Sequence, residues 1–83
     1  MYDVVFEKRA LESLNKLDKN TKQRIWDKIQ QCKENPFRFL KHLEEMPSFR
    51  LRVGDYRVIM DVNNSKKTII VLKIGHRKNI YED

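Results

Sequence analysis

Hydrophobic positions follow three successive periods along the chain. Val4, Val5 and Phe6 form a short β-rich run, which predicts a strand over Tyr2–Phe6. From Glu7 the apolar residues fall at helical spacing, with Ala10, Leu11, Leu14 and Leu17 on one stripe. The polar break Asp18-Lys-Asn-Thr21 offers Asp18 or Asn20 as cap of a second helix. That helix carries Ile25, Trp26, Ile29 and Cys32 on its stripe and ends by Asn35-Pro36. Residues 37–46 read as a connector anchored by Phe39, Leu40 and Leu43.

The period then becomes two. Phe49, Leu51 and Val53 alternate with Ser48, Arg50 and Arg52. Gly54-Asp55 is a two-residue hairpin signal, because glycine supplies the positive φ such turns need. A more apolar strand follows over Tyr56–Val62, then a turn at Asn63–Lys67. A third strand spans Thr68–Ile74, and its near-continuous apolar run predicts burial on both faces. The resulting order is β-α-α-β-β-β. Amphipathic helices need a sheet face to cover, so a two-layer α+β fold is expected, with a helical hairpin on one face of a small, mostly antiparallel twisted sheet. The pattern alone does not place the first strand in that sheet.

At 83 residues the chain is expected to form a single domain over residues 1–83. One cysteine, Cys32, excludes an intrachain disulfide framework, and its helical spacing marks it as a core thiol. The longest apolar run, Ile69–Leu72, is far short of a membrane span, and no secretory signal is expected at the N-terminus. No membrane association and a cytoplasmic location are the expectations. Two glycines cannot build a phosphate-cradling loop. His42 and His76 lack partners at metal-ligand spacing, so neither a metal nor another cofactor is expected.

Charge changes the picture more than composition does. The net charge is +6, and residues 46–83 carry eight Lys/Arg against four Asp/Glu. Arg50 and Arg52 share one strand face, Arg57 lies just past the hairpin, and Lys73, His76, Arg77 and Lys78 end the third strand or follow it. Converging guanidinium groups bind phosphate in bidentate geometry. They equally suit an acidic protein partner or a charge-blunted sheet edge.

The segments Phe49-Arg-Leu-Arg-Val-Gly-Asp-Tyr-Arg-Val-Ile59 and Val71-Leu-Lys-Ile-Gly-His-Arg-Lys-Asn-Ile-Tyr81 resemble the centre and end of RelE-type toxins of the RelE/ParE superfamily. The opening strand and helical hairpin match as well, so the resemblance spans essentially the whole chain and implies a RelE-like fold. It implies the toxin of a type II toxin–antitoxin pair, a ribosome-dependent, metal-independent endoribonuclease that cuts mRNA in the decoding site. It also implies two partners: the ribosome with its mRNA, and a RelB-like antitoxin, expected to be acidic with an amphipathic helix. By resemblance, Arg57 holds the scissile phosphate, Arg77 is the catalytic arginine after the third strand, and Tyr81 stacks on a base. Arg50 falls where some members carry a lysine, and Ser48 stands near the place of a second one. Arg52, Lys73 and Lys78 are expected to bind RNA.

Such cleavage needs the 2′-hydroxyl deprotonated, the extra negative charge stabilised and the 5′-oxygen protonated. Arginine stays protonated, so the proton-transfer candidates are His76, Glu45 and Tyr81, with His76 preferred. Two alternatives remain open at this stage: a non-enzymatic ParE-type toxin acting on DNA gyrase, and a catalytically degenerate member that only binds its antitoxin.

Overall fold

The computed structural model describes residues 1–38, 41–42 and 48–80, with the backbone alone for 41–42. The elements run β1 (Asp3–Phe6), α1 (Lys8–Asn15), α2 (Lys19–Gln31), a 3-10 turn (Pro36–Arg38), β2 (Lys41–His42), β3 (Phe49–Val53), β4 (Tyr56–Asn63) and β5 (Thr68–His76). The expected α+β order is present, with the two-residue β2 added inside the connector. The anchors Phe39, Leu40 and Leu43, like Glu45 and Tyr81, lie outside the described residues.

The strands form one sheet in the order β1-β5-β4-β3-β2. The meander from β2 to β5 is antiparallel. β1 lies parallel to β5, pairing Val4 with Ile69 and Phe6 with Val71. A parallel pair needs a long crossover, and here both helices and the rest of the meander form it. Tyr2 fastens this edge: it is buried, and its hydroxyl donates to Asn64 Oδ1 at 2.7 Å.

Alternation along the strands sends Leu51, Val53, Val58, Met60, Ile69, Val71 and Ile74 to the helix side. Ala10 and Leu14 of α1, and Ile25 and Ile29 of α2, meet them there with Cys32. Each fully buried aliphatic side chain contributes about 1.5–3 kcal/mol. Asp18 is the helix cap of the two candidates, its Oδ2 accepting from Thr21 N at 3.1 Å. Hydrogen bonds from the Thr21 hydroxyl and from its amide hold the carboxyl below the usual value.

Two expectations of burial differ from the structure. Leu11 and Trp26, read as parts of the buried stripes, are 43% and 42% exposed. Helices this short bury a narrow stripe against the sheet, and Trp26 instead stacks flat on Phe6, with ring centroids 5.8 Å apart. β5 is not buried on both faces either. Ile70 and Leu72 stand half-buried on the side away from the helices.

Burial pushes the Cys32 thiol up to about 11, against an ordinary value of 9.0, and the nearby Lys28 charge only partly opposes this. The folded state therefore favours the protonated thiol. Its contribution is complete below about pH 9 and is lost as pH rises towards 11. Native protein at pH 8.5 is expected to alkylate with iodoacetamide only as fast as it unfolds, and rapidly in urea. Equal rates in both conditions would contradict the burial of this thiol.

Candidate nucleic-acid interface

The hairpin between β3 and β4 closes on Gly54-Asp55, with Val53 paired to Tyr56. Gly54 adopts φ +58°, at the first of the two loop positions, as a type II′ turn requires. The register that follows puts Arg52 opposite Arg57, and Arg57 opposite Gly75 on β5. One step along the strands, Arg50 faces Ile59, and Ile59 faces Lys73. Period-two alternation places all four cations on the sheet face without helices.

Like charges directly opposite one another destabilise a sheet. Among the described residues, no carboxylate pairs with Arg52 or Arg57. Arg57 is half-buried and turns Nη1 back to donate to the carbonyl oxygens of Gly54 and Tyr56, both at 2.9 Å. This fixes the guanidinium at the hairpin end and leaves its charge uncompensated by any described anion.

Arg77 reaches the same loop from the other side. Its amide donates to the Asp55 carbonyl at 2.8 Å. Its Nε lies 3.8 Å from Asp55 Oδ1, with both side chains more than half exposed, so this ion pair is weak. Three consecutive carbonyls, those of Gly54, Asp55 and Tyr56, thus hold two arginines together. Guanidinium groups suit phosphate or carboxylate, which they bind in bidentate geometry.

The turn after β5 explains the second glycine. The His76 carbonyl accepts from Asn79 N at 2.8 Å and from Ile80 N at 3.1 Å. Ile80 then folds back so that a side chain at position 75 would meet its Cδ1 and Cγ1 at 3.0 Å. Lys73 and Lys78 are exposed at the two sides of this turn.

His76 is placed differently from the arginines. It pairs with Tyr56 in the ladder and lies edge-to-face on that ring at 5.5 Å. Tyr56 packs against the core, so both rings belong to the helix side of the pleat, opposite to Arg57. Its Nδ1 accepts from Lys78 N at 3.2 Å. Ser48, which stands near the place of the family's second lysine, is buried and donates to Asp61 Oδ1 at 3.1 Å. The structure therefore brings together Arg50, Arg52, Arg57 and Lys73 on one face, with Arg77 at its end. It keeps His76 apart from them, and Tyr81 lies outside the described residues.

Sequence reasoning missed two contributors. Asp55 read only as a turn residue, yet its carbonyl and carboxylate receive Arg77. Arg24 drew no attention in the sequence, yet its guanidinium lies over Gly54. The first was accessible from the hairpin signal, but the second needed the packing of α2 on β3. Among the described residues, no group of three or more His, Cys, Asp or Glu side chains could hold a metal ion. No helix among them is long and apolar enough to cross a membrane.

Comparison with known proteins bears on the family of the chain. Residues 4–81 match the family model described as the ParE toxin of the type II toxin–antitoxin system parDE. The chain is 32% identical over 85 residues to Toxin RelE3 of Methanocaldococcus jannaschii, covering 95% of this chain and 94% of that one. It is 28% identical over 80 residues to the mRNA interferase toxin RelE of Escherichia coli K12, covering 93% and 84%. The archaeal RelE–RelB complex from Pyrococcus horikoshii contains a chain that superposes with a TM-score of 0.81 at 30% identity, covering 95% and 98%. With the family model matching nearly the whole chain and RelE-type relatives matching over their length, this protein belongs to the RelE/ParE superfamily of type II toxin–antitoxin toxins, as a RelE-type toxin.

Proposed function

We propose that this toxin is an mRNA interferase, a ribosome-dependent endoribonuclease that cuts mRNA in the decoding site and so inhibits translation. The observation that carries this reading is the joint attachment of Arg57 and Arg77 to one hairpin loop. The relatives named RelE and mRNA interferase support it.

In the proposed reaction the 2′-oxygen of one nucleotide attacks the adjacent phosphorus. The bond from phosphorus to the 5′-oxygen breaks, leaving a 2′,3′-cyclic phosphate and a free 5′-hydroxyl. One proton leaves the 2′-hydroxyl and one reaches the 5′-oxygen. Negative charge builds on the non-bridging oxygens between these events. Arg57 and Arg77 are assigned to those oxygens, with Arg50 beside them and Arg52, Lys73 and Lys78 along the strand of RNA. Arg57, whose guanidinium the loop carbonyls already hold, needs little reorganisation as the charge develops. Tyr81 is assigned to stacking on a base next to the scissile phosphate.

Arginine remains protonated and transfers no proton. His76 turns to the helix side and its Nδ1 is occupied by the Lys78 amide. In this reading it is a positioning residue that shapes the turn carrying Arg77. The ribosome supplies the substrate geometry that this sparse site lacks.

The proposed protein partner is an acidic, amphipathic antitoxin segment. The solved relative is a RelE–RelB complex, and this chain carries +6. Its helix-free face joins half-exposed Ile70 and Leu72 and exposed Val5 to the arginine cluster. An acidic amphipathic helix would cover both halves. A second reading follows from the ParE family model: a toxin acting on a protein target, DNA gyrase, with RNA untouched.

Purified toxin, ribosomes and a programmed mRNA decide between them, with new RNA ends mapped by primer extension. Cuts at the decoding site are expected from the wild type. Arg57→Ala and Arg77→Ala are each expected to slow them roughly 100- to 1,000-fold, as for loss of one charge-stabilising donor. A folded, growth-inhibiting wild type that makes no cuts would overturn the nuclease reading and favour gyrase.

For His76, alanine is expected to slow cleavage roughly 10- to 100-fold by misplacing Arg77. His76→Asn keeps an acceptor near Nδ1 and is expected to restore most of the rate. Both variants are expected to keep the wild-type pH profile. Loss of the profile's acidic limb in both would instead make His76 the base.

A further inference from the structure

α2 and the β3–β4 hairpin meet at a surface cleft of about 300 Å³. Its walls present Arg24, Lys28 and Arg52 around the Gly54 loop. Among the described residues, β2 pairs only with Phe49 and Arg50 of β3. Arg52 belongs to the helix-free face by its strand position and also lines the cleft.

The Arg24 guanidinium is placed by the loop itself. From the point where a Cβ at position 54 would stand, Nη2 is 3.0 Å away, Nη1 3.5 Å and Cζ 3.6 Å. Glycine leaves room for that approach and takes the positive φ without strain. Lys28 lies four residues on, one turn along the same face of α2. Asp27, the one carboxylate among the described lining residues, accepts a hydrogen bond from Gln23 Nε2 at 2.8 Å. Among the described residues, no carboxylate forms an ion pair with Arg24 or Arg52.

We propose that this cleft is a second phosphate-binding site, which takes the RNA backbone as it leaves the Arg57–Arg77 loop and passes over the hairpin onto α2. The inference rests on the nuclease reading and extends its RNA path beyond the sheet face. Two features favour RNA over an acidic protein. Among the described residues that line the cleft, Val53 is the one apolar side chain and is itself only 8% exposed, which gives an amphipathic helix little to bury. Two guanidiniums and an ammonium in a polar cleft match successive phosphates, and Arg52 makes the path continuous with the arginine face.

The test uses fluorescence anisotropy of the full chain with a labelled, unstructured 20-nucleotide RNA across a salt series. The variant is Arg24→Ala/Lys28→Ala. The control is Lys66→Ala/Lys67→Ala, which removes the same charge from the turn at the far end of β4 and β5. Circular dichroism checks that both are folded. For two lost phosphate contacts, the slope of log K against log salt is expected to fall by about 1.4, with roughly tenfold weaker binding at low salt. The control is expected to keep the wild-type slope. Equal slopes for cleft variant and wild type, while Arg57→Ala weakens binding, would overturn the second site and leave the nuclease reading standing. So would retained RNA affinity with loss of an acidic antitoxin peptide, which would give the cleft to the protein partner. Absence of RNA binding by the wild type would also overturn it, and ribosomal cleavage would then judge the nuclease reading separately.

Discussion

Everything at the interface hangs on the backbone of one tight turn. Gly54 takes a φ that other residues reach only under strain, and the loop then turns three carbonyls outward. Those carbonyls are neutral acceptors. They hold Arg57 through Nη1 and Arg77 through its amide, and neither bond neutralises the cation. A carboxylate in the same role would quench the charge that the site is proposed to offer. The exposed Asp55 carboxylate, 3.8 Å from Arg77 Nε, is the one described anion near enough to compete. Water weakens that contact, so a phosphate held by two guanidiniums displaces it readily.

The rest of the fold keeps that loop rigid and accessible. The hairpin packs Leu51, Val53, Val58 and Met60 on the helices, so its arginines must face away. A register shift near Ile59 and Met60 leaves Leu72 as an extra residue on β5, where bulges add twist. The twist falls at the boundary between the apolar half of the open face and its cationic half. Arg24 of α2 lies over Gly54 from the helix side. The parallel pairing of β1 with β5 closes the far edge and ties the first residues to the last strand.

Much of this was legible in the chain. Period changes marked both helices and the meander, and Gly54-Asp55 marked the hairpin. Once the hairpin is known, period two alone puts Arg50, Arg52 and Arg57 on one face. Three features were not legible, each because it depends on contacts distant in sequence. The parallel placement of β1 is set by Val4 and Phe6 meeting the β5 core residues, and local pattern does not encode it. The position of His76 depends on where the ladder ends, because one residue more or less would have turned it to the arginine face. The exposure of Leu11 and Trp26 follows from short helices on a small sheet, which bury fewer positions than a helical stripe supplies.

The central claim is that Arg57 and Arg77 act as one unit because one loop holds both. A double-mutant cycle on single-turnover cleavage of ribosome-bound mRNA tests it most directly, comparing Arg57→Ala, Arg77→Ala and the double variant. If both guanidiniums stabilise the same developing charge, the double variant is expected to be scarcely slower than the worse single one. Additive losses, with each arginine contributing fully in the other's absence, would mean two separate roles and would contradict the shared site.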